Sequence, residues 1–388
     1  MINVNDIFEI LDRQTLGIKT EKVPLHKALG RILGNTVYSA IDSPPFDKSA
    51  MDGWAIMKNE IATSLTTVDT VAAGDVSTIN ISSGKCAAIM TGAKIPEGTG
   101  RVIRVEYTHR EGDSVIIDRD DPLENIIRQG ENLKKGDPVL TPRILNAGDI
   151  GILASLGMDR IEVVIAPSIG IITTGSELKE PGETLNDGEI YNSNGHQLIA
   201  QSEIWDCSAH YYGIVEDDRE RLKSTVEKAL EENDIVLLSG GVSMGEFDYV
   251  PQILEEAEVE KIFHKAAIKP GRPLWFGKNK STYVFGLPGN PVATYIIFEV
   301  FVKHLILGLC GLKYEPAFLR GILGQVITRK TWDRTEFLPV KWENNEVIPV
   351  KYHGSSHLNA MSDAKGLVII EKGIRFLEKG ETVHVRLL

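Results

Sequence analysis

The sequence lacks the features on which several common classes of protein depend. Its 388 residues include only three cysteines, Cys86, Cys207 and Cys310, and no Cys-x-x-Cys pair. Neither a disulfide framework nor a cysteine-ligated zinc site is therefore indicated. This sparse use of cysteine is typical of a reducing compartment, and we expect a cytoplasmic protein.

Positive charge and long apolar runs are also scarce. The 42 basic residues are outnumbered by 54 acidic ones, which gives a net charge of −12 and disfavours nucleic acid as a general partner. The most apolar stretch, residues 295–309, is interrupted by charged residues and falls short of the roughly 20 residues that span a bilayer. Residues 1–14 lack the basic and apolar regions of an export signal. We expect no membrane association, and a buried helix at residues 295–309.

Two nucleotide-binding motifs are missing, although the second half of the chain alternates strands with helices. No GxxxxGK[ST] is found, and no GxGxxG follows a strand. From residue 165 onward, apolar runs such as IGIITTG and DIVLLSGG alternate with helical patterns over residues 193–204 and 218–232. This alternation predicts an α/β domain with parallel strand pairing. Short strands with glycine-rich turns predict β-rich modules before it and after it.

The predicted strand ends of the α/β domain carry most of the polar chemistry. Ligands in such folds lie beyond the carboxyl ends of the strands, where glycine amides and helix N-termini bind phosphate oxygens. We therefore predict a pocket for a phosphorylated ligand, with Glu177 and Asp248 as oxygen ligands of a divalent cation. The other candidate residues are Gly240, Gly241, Ser243, Lys269, Arg272, Pro288, Asn290 and Pro291.

Each of these motifs has a simpler interpretation when it is taken alone. Gly240-Gly241 fits an ordinary turn, residues 269–273 (KPGRP) fit a rigid turn with solvated charges, and residues 286–291 fit a helix entry. Together they place glycine amides, hydroxyls, cations and carboxylates at successive strand ends, which favours the ligand pocket.

A second unusual segment lies outside the α/β domain. In residues 43–55 (SPPFDKSAMDGWA), two prolines stiffen the entry and a glycine follows Asp52, so the segment is suited to present Asp52 at a fixed place. The alternative is a turn in which Asp52 only caps backbone amides. Thr91, in a second loop, is either a site hydroxyl or a simple turn residue.

Seven motifs occur in an order that resembles the MoeA family of molybdopterin molybdenumtransferases, which includes the E domain of gephyrin and its plant counterpart. They are SPPFDKSAMDGWA, IMTGAKIP, TTGSEL, YNSNG, GGVSMGEFDYV, KPGRP and GLPGNPV. The resemblance runs over nearly the whole chain.

The resemblance implies a multidomain α/β and β fold with four domains. Residues 1–30 and 134–164 would form an elongated linking and dimerisation domain, and residues 31–133 a β-rich insertion domain. Residues 165–313 would form a parallel-sheet α/β domain like that of molybdopterin adenylyltransferases, and residues 314–388 a C-terminal β-barrel. The family also implies a homodimer, in which each active site combines the α/β and C-terminal domains of one subunit with the insertion domain of the other.

The implied reaction inserts molybdate into adenylylated molybdopterin, with release of AMP, in a Mg²⁺-dependent transfer. A phosphate-rich ligand suits glycine amides and cations, and a tetrahedral oxyanion suits hydroxyls, amides and arginine. The resemblance further implies a molybdopterin adenylyltransferase and apo-molybdoenzymes as partners. It assigns Asp52, Thr91, Glu177 and Asp248 as catalytic, Glu177, Asp217 (or its neighbour Asp218) and Asp248 as metal ligands, and Arg334 and Ser355 as oxyanion contacts.

One position departs from the family pattern, and some alternatives stay open. Asn132 stands where many members carry aspartate, so the chain lacks a carboxylate there unless Glu131 compensates. Arg272 stands where many carry lysine. The sequence does not decide between molybdate and tungstate. The rival functions are molybdopterin adenylyltransferase, whose Gly-Gly-Thr-Gly loop is missing here, and a non-catalytic dimeric scaffold.

Overall fold

The chain folds into two compact units. A computed structural model describes residues 1–216, 218–241, 250–350 and 358–388. One unit comprises Lys22–Leu29 and Leu33–Glu162, and the other comprises Met1–Glu21, Gly30–Ile32 and Val163–Leu388. The predicted four-domain boundaries stay a prediction.

The first part of the chain is dominated by short strands. Its elements are α1 (Val4–Asp12), β1 (Thr20–Pro24), β2 (Val37–Tyr38), β3 (Lys48–Ser49), β4 (Gly53–Ile56), β5 (Ser64–Val71), β6 (Lys85–Ile89), β7 (Arg101–Arg104), β8 (Thr108–Glu111), β9 (Ser114–Ile117), β10 (Ile126–Ile127), β11 (Pro138–Leu140), α2 (Ala147–Ser155) and β12 (Arg160–Val164). Single 3-10 turns lie at Leu25–Lys27 and Val105–Tyr107. The predicted β-rich character of this region is confirmed.

A six-stranded sheet organises the unit that contains Leu33–Glu162. Its strand order is β7-β4-β6-β5-β9-β8, with β5 and β6 parallel and the other pairs antiparallel. Side chains alternate between two buried clusters, with Trp54 and Ile56 in one and Ala55 in the other. Because both faces are covered at the centre of the sheet, the central strands β4 and β6 are almost continuously apolar.

The second part of the chain begins with the predicted α/β domain. Its elements are β13 (Ile169–Thr174), β14 (Leu178–Lys179), β15 (Ile190–Tyr191), α3 (Ser193–Glu203), β16 (Ala209–Val215), α4 (Arg219–Glu232), β17 (Ile235–Ser239), α5 (Val250–Glu256), β18 (Glu260–His264), β19 (Ile268–Lys269), β20 (Trp275–Lys278), β21 (Tyr283–Leu287), α6 (Pro291–Ile297) and α7 (Lys303–Leu309). The π-helical segment Phe298–Val302 joins α6 to α7.

Strand pairing in the α/β sheet is parallel in four strands and antiparallel at one side. The order is β16-β13-β17-β21-β20-β18, and the first four strands are parallel. The expectation of parallel pairing is confirmed for these four strands and wrong for β18, and β20, which was not predicted, also pairs antiparallel. Only four residues separate β20 from β21, which is too short for a crossover connection.

The apolar C-terminal stretch of this domain forms a buried helix, as predicted. Pro291–Leu309 is a described helix that is long and apolar enough to span a membrane by length and composition, yet 83% of its most apolar window is buried in the fold. It packs with the sheet in a core that includes Ile171, Leu237 and Phe285. Helix α4 covers the opposite face through Leu222 and Val226.

The C-terminal strands close into a barrel, as the fold prediction stated. The elements are β22 (Phe318–Leu323), β23 (Ile327–Thr328), β24 (Thr335–Glu343), β25 (Glu346–Pro349), α8 (Asn359–Asp363), β26 (Gly366–Ile370), β27 (Phe376–Leu377) and β28 (Thr382–Leu387). Strands β24, β25, β22, β28 and β26 pair in that order, and β26 pairs again with β24, so the ring is closed.

The aromatic packing of β21 leads to a first prediction. Phe285 is fully buried, and its ring lies 4.7 Å from that of Phe276. We expect Phe285→Ala to lower the free energy of unfolding by about 3–5 kcal/mol, because it leaves a cavity beneath the sheet. Urea unfolding followed by circular dichroism measures this. Phe318→Ala, at a half-exposed position, is the matched control, and equal small effects of the two variants would contradict the placement of Phe285.

Candidate functional site

A cavity of about 790 Å³ lies where three neighbouring parallel strands end. Strands β13, β17 and β21 all contribute their carboxyl ends, and the N-terminus of α3 completes the wall. The lining residues are Thr173, Thr174, Gly175, Glu177, Leu178, Ile190, Tyr191, Asn192, Ser193, Asn194, Ser239, Gly240, Gly241, Pro273, Pro288, Gly289, Asn290, Pro291 and Leu358. The structure thus brings together six of the predicted residues: Glu177, Gly240, Gly241, Pro288, Asn290 and Pro291.

Gly240 and Gly241 occupy positions that strongly favour glycine. Their φ angles are +94° and +62°, in the region where side chains are strained. A Cβ atom on Gly240 would lie 2.4 Å from the carbonyl oxygen of Thr174, and one on Gly241 would lie 2.9 Å from Val250. The loop after β17 therefore presents backbone rather than side chains to the cavity.

The segment after β21 enters the long buried helix directly. Asn290 is the N-cap residue and Pro291 is the first helical residue. Proline is tolerated there because a backbone N–H at that position would form no hydrogen bond within the helix. The Thr294 hydroxyl donates a hydrogen bond of 2.6 Å to the carbonyl oxygen of Pro288. This bond fixes the loop, so Pro288, Asn290 and Pro291 form a rigid wall of the cavity.

Helix α3 brings to the cavity two asparagines that were not predicted as site residues. Asn192 caps the helix by accepting a hydrogen bond from the N–H of Gly195, and it donates to the hydroxyl groups of Tyr211 and Thr173, at 2.6 and 3.1 Å. Burial and the hydrogen bond to Glu180 raise the pKa of Tyr211, so its hydroxyl stays protonated. An asparagine directly before a helical pattern is an N-cap signal that could have identified Asn192.

The orientation of the Asn194 amide is fixed by its partners. Its Nδ2 atom donates to the carbonyl oxygen of Gly289 and to the Ser239 hydroxyl, both at 2.8 Å. Because a carbonyl oxygen only accepts, the opposite flip of the amide is excluded. The Oδ1 atom is buried and finds no partner among the residues that the structure describes, and the same holds for the Thr174 hydroxyl. The cavity wall therefore contains two polar groups with unused hydrogen-bonding capacity.

The predicted cations lie apart from the strand ends where they were expected. Strand β19, which contains Lys269, pairs with β24 of the barrel and not with the α/β sheet, so this part of the prediction is wrong. Lys269 forms an ion pair of 2.8 Å with Glu336, and Arg272 is exposed. Of residues 269–273, Pro273 lines the cavity. Arg334 donates to the carbonyl oxygen of Ile268 at 3.4 Å, which places it beside the same segment.

Asp52 and Thr91 contact each other in the unit that contains Leu33–Glu162. The Oδ1 atom of Asp52 accepts hydrogen bonds from the backbone N–H and the hydroxyl of Thr91, at 2.6 and 2.7 Å. These bonds, that of the backbone N–H first, lower the pKa of Asp52, so the exposed carboxylate stays ionised at neutral pH. A Cβ atom on Gly53 would lie 2.0 Å from the carbonyl oxygen of Ile103, which explains the glycine after Asp52. Asp52 therefore caps a backbone amide, as the turn interpretation stated, and it is also held at a fixed place.

Several predicted residues fall outside the described ranges or serve local structure. Asp217, Ser243, Asp248 and Ser355 lie outside the residues that the structure describes. The Asp218 carboxylate caps α4 by accepting from the N–H of Arg221 at 2.8 Å. The Glu131 carboxylate accepts from the N–H of Arg128, also at 2.8 Å, and Asn132 is exposed.

Three family models match successive parts of the chain. The model described as "MoeA N-terminal region (domain I and II)" matches residues 2–157, and "Probable molybdopterin binding domain" matches residues 170–307. "MoeA C-terminal region (domain IV)" matches residues 316–388. The three models follow each other in the order of the motifs and of the observed folds.

Several proteins and solved structures are similar to this chain over nearly their whole length. The molybdopterin molybdenumtransferase of Staphylococcus aureus (strain Mu50) is 33% identical over 400 residues, covering 99% of this chain and 95% of the relative. That of Staphylococcus epidermidis is 32% identical over 398 residues, with the same coverage. The crystal structure of the molybdopterin biosynthesis MoeA protein from Pyrococcus horikoshii OT3 matches all of both chains with a TM-score of 0.88 and 32% identity. The chain belongs to the MoeA family of molybdopterin molybdenumtransferases.

Proposed function

We propose that the protein is a molybdopterin molybdenumtransferase that inserts molybdate into adenylylated molybdopterin and releases AMP. Family membership over the whole chain supports the reaction class. The main structural support is the cavity at the carboxyl ends of β13, β17 and β21, with its glycine loop and its polar wall.

The composition of the cavity wall suits a nucleotide-like ligand. Backbone groups of Gly240 and Gly241 approach the cavity without side chains, as in loops that bind phosphate oxygens. Asn194 and Thr174 also line this cavity, and each has a buried polar atom without a partner among the described residues. Lys269, Arg272 and Arg334 would attract the phosphate and the tetrahedral oxyanion. Molybdate is the proposed oxyanion, and tungstate is the alternative because its size and charge are nearly the same.

The donor set at the cavity is compatible with Mg²⁺. Glu177 is a lining residue with a carboxylate, and neighbouring lining residues have amide and hydroxyl oxygens, all of them the hard ligands that Mg²⁺ prefers. Glu177 would hold the ion, together with Asp217 and Asp248. When bound, the ion would neutralise the charge of the pyrophosphate group.

The Asp52 and Thr91 pair is proposed to act in a homodimer, each pair completing the cavity of the partner subunit. The ionised, exposed Asp52 carboxylate, held by two hydrogen bonds from Thr91, is in a suitable state for such a role. We further propose that the protein works in the cytoplasm. A molybdopterin adenylyltransferase would supply its substrate, and apo-molybdoenzymes would accept its product.

The direct test of the reaction is a coupled assay on the purified protein. Incubation with adenylylated molybdopterin, molybdate and Mg²⁺ should release AMP and yield a product that activates an apo-molybdoenzyme. Release of both products should cease when molybdate or Mg²⁺ is omitted. ATP-dependent transfer of AMP to molybdopterin would instead identify an adenylyltransferase.

Removal of the Asp52 carboxylate should abolish most of the activity without unfolding the protein. We expect Asp52→Ala to lower kcat at least about 100-fold, the scale of a catalytic proton-transfer or positioning group. Asp137→Ala is the matched control, since Asp137 is a partly buried aspartate of this unit whose carboxylate also accepts a backbone hydrogen bond. An Asp52→Ala variant with full activity would favour the scaffold function.

The fixed amide of Asn194 should contribute to substrate binding. We expect Asn194→Ala to raise the KM for adenylylated molybdopterin about tenfold, because one hydrogen bond to a buried polar group is lost. Asn186→Ala, at an exposed position outside the cavity wall, should leave the KM unchanged. Steady-state kinetics of AMP release measures both variants, and an unchanged KM for Asn194→Ala would exclude the contact.

A further inference from the structure

A buried carboxylate in the C-terminal barrel forms ion pairs with two cations, one of them buried and the other partly exposed to solvent. The Glu336 side chain is 9% exposed, and its Oε1 atom lies 2.8 Å from Nζ of Lys269. Its Oε2 atom accepts a hydrogen bond of 2.7 Å from Nε of Arg329, whose side chain is 1% exposed. Lys269, in contrast, is 35% exposed. One carboxylate thus connects an interior guanidinium to a surface amine.

Arg329 is held on several sides. Its Nη1 atom donates to the carbonyl oxygens of Glu371 and Ile374, at 3.0 and 2.8 Å, and its Nη2 atom donates to the carbonyl oxygen of Arg334. A planar guanidinium that uses its donors in this way has little freedom to rotate. It therefore fixes the position of Glu336.

Backbone pairing fixes the other end of the arrangement. Strands β19 and β24 pair in parallel, with Ile268 opposite Thr335 and Lys269 opposite Glu336. The N–H of Thr335 donates to the carbonyl oxygen of Ala267 at 3.0 Å. The register thus sets Lys269 directly beside the carboxylate.

From these contacts we propose that Glu336 is a positioning residue, which holds the Lys269 ammonium ready for an oxyanionic group of the substrate. The inference rests on the proposed function, because it takes Lys269 to be a substrate contact. A lysine ammonium has three N–H donors, and within the described part of the chain Glu336 engages one of them, which leaves two for a ligand. Two cations and one carboxylate also leave a net positive charge. Holding the flexible lysine stem in advance lowers the ordering cost of binding.

The experiment is a double-mutant cycle on the full chain. The KM values for adenylylated molybdopterin and for molybdate, and kcat, are measured for Lys269→Ala, Glu336→Gln and the double variant. Glu343→Gln is the matched control, since Glu343 lies on the same strand and forms an ion pair with Lys341 but is half-exposed. A glutamine at position 336 cannot accept from both cations with equal strength.

We expect Glu336→Gln to raise about tenfold the same KM that Lys269→Ala raises, with a much smaller change in kcat. The substrate whose KM moves identifies the oxyanion as phosphate or molybdate. In the Lys269→Ala background, Glu336→Gln should have no further effect on that KM. Glu336→Asp keeps the charge, so it should raise this KM less than Glu336→Gln does. If Glu336→Gln does not fold, the KM of Glu336→Asp with and without Lys269→Ala provides the test.

Two results would overturn the inference while leaving the proposed function intact. One is a KM that Lys269→Ala raises and both Glu336 variants leave unchanged. The other is an equal effect of Glu336→Gln with and without Lys269, which would make Glu336 a purely structural partner of Arg329. A wild-type chain without transferase activity, or a Lys269→Ala variant with unchanged KM values, would instead refute the assignment of Lys269 and the inference with it.

Discussion

The carbonyl and the hydroxyl group of Thr174 lie directly against the backbone of Gly240 and Gly241, where β13 and β17 end side by side. No side chain fits between these two loops. The cavity forms because the carboxyl ends of the parallel strands all lie at one edge of the sheet. The glycine residues in the loops there have no side chains, so backbone atoms line the cavity. The stiff entry to the long buried helix and the N-terminus of α3 then enclose it.

Around this edge, polar groups are fixed before any ligand arrives. Asn194 is oriented by the carbonyl oxygen of Gly289, and Asn192 by the helix that it caps. Away from this edge, on the strand that pairs with the barrel, Lys269 is held by the Glu336 carboxylate. Asp52, in the other compact unit, is likewise fixed by Thr91. In a protein with a net charge of −12, two cations of the proposed site, Lys269 and Arg334, thus form ion pairs with Glu336 and Asp333. Such prior fixation is what a transferase for a charged, multipart substrate requires.

Local patterns in the sequence predicted much of this arrangement. Periodicity located α3, α4 and the parallel strands, and glycine and proline motifs identified most of the loops at the cavity. The antiparallel strand β20 (Trp275–Lys278) was missed because it is only four residues long and contains a glycine. The pairing of β19 with the barrel depends on contacts across 67 residues, and the orientation of Asn194 on a contact across 95 residues. Contacts between residues so far apart along the chain cannot be inferred from local sequence patterns.

The most direct measurement is a crystal structure of the protein with adenylylated molybdopterin bound. We expect ligand density in the cavity, with phosphate oxygens within hydrogen-bond distance of the backbone of Gly240 or Gly241 and with a polar group of the ligand beside Asn194. Ligand bound at another surface, with this cavity filled only by solvent, would show that the cavity is not the substrate site.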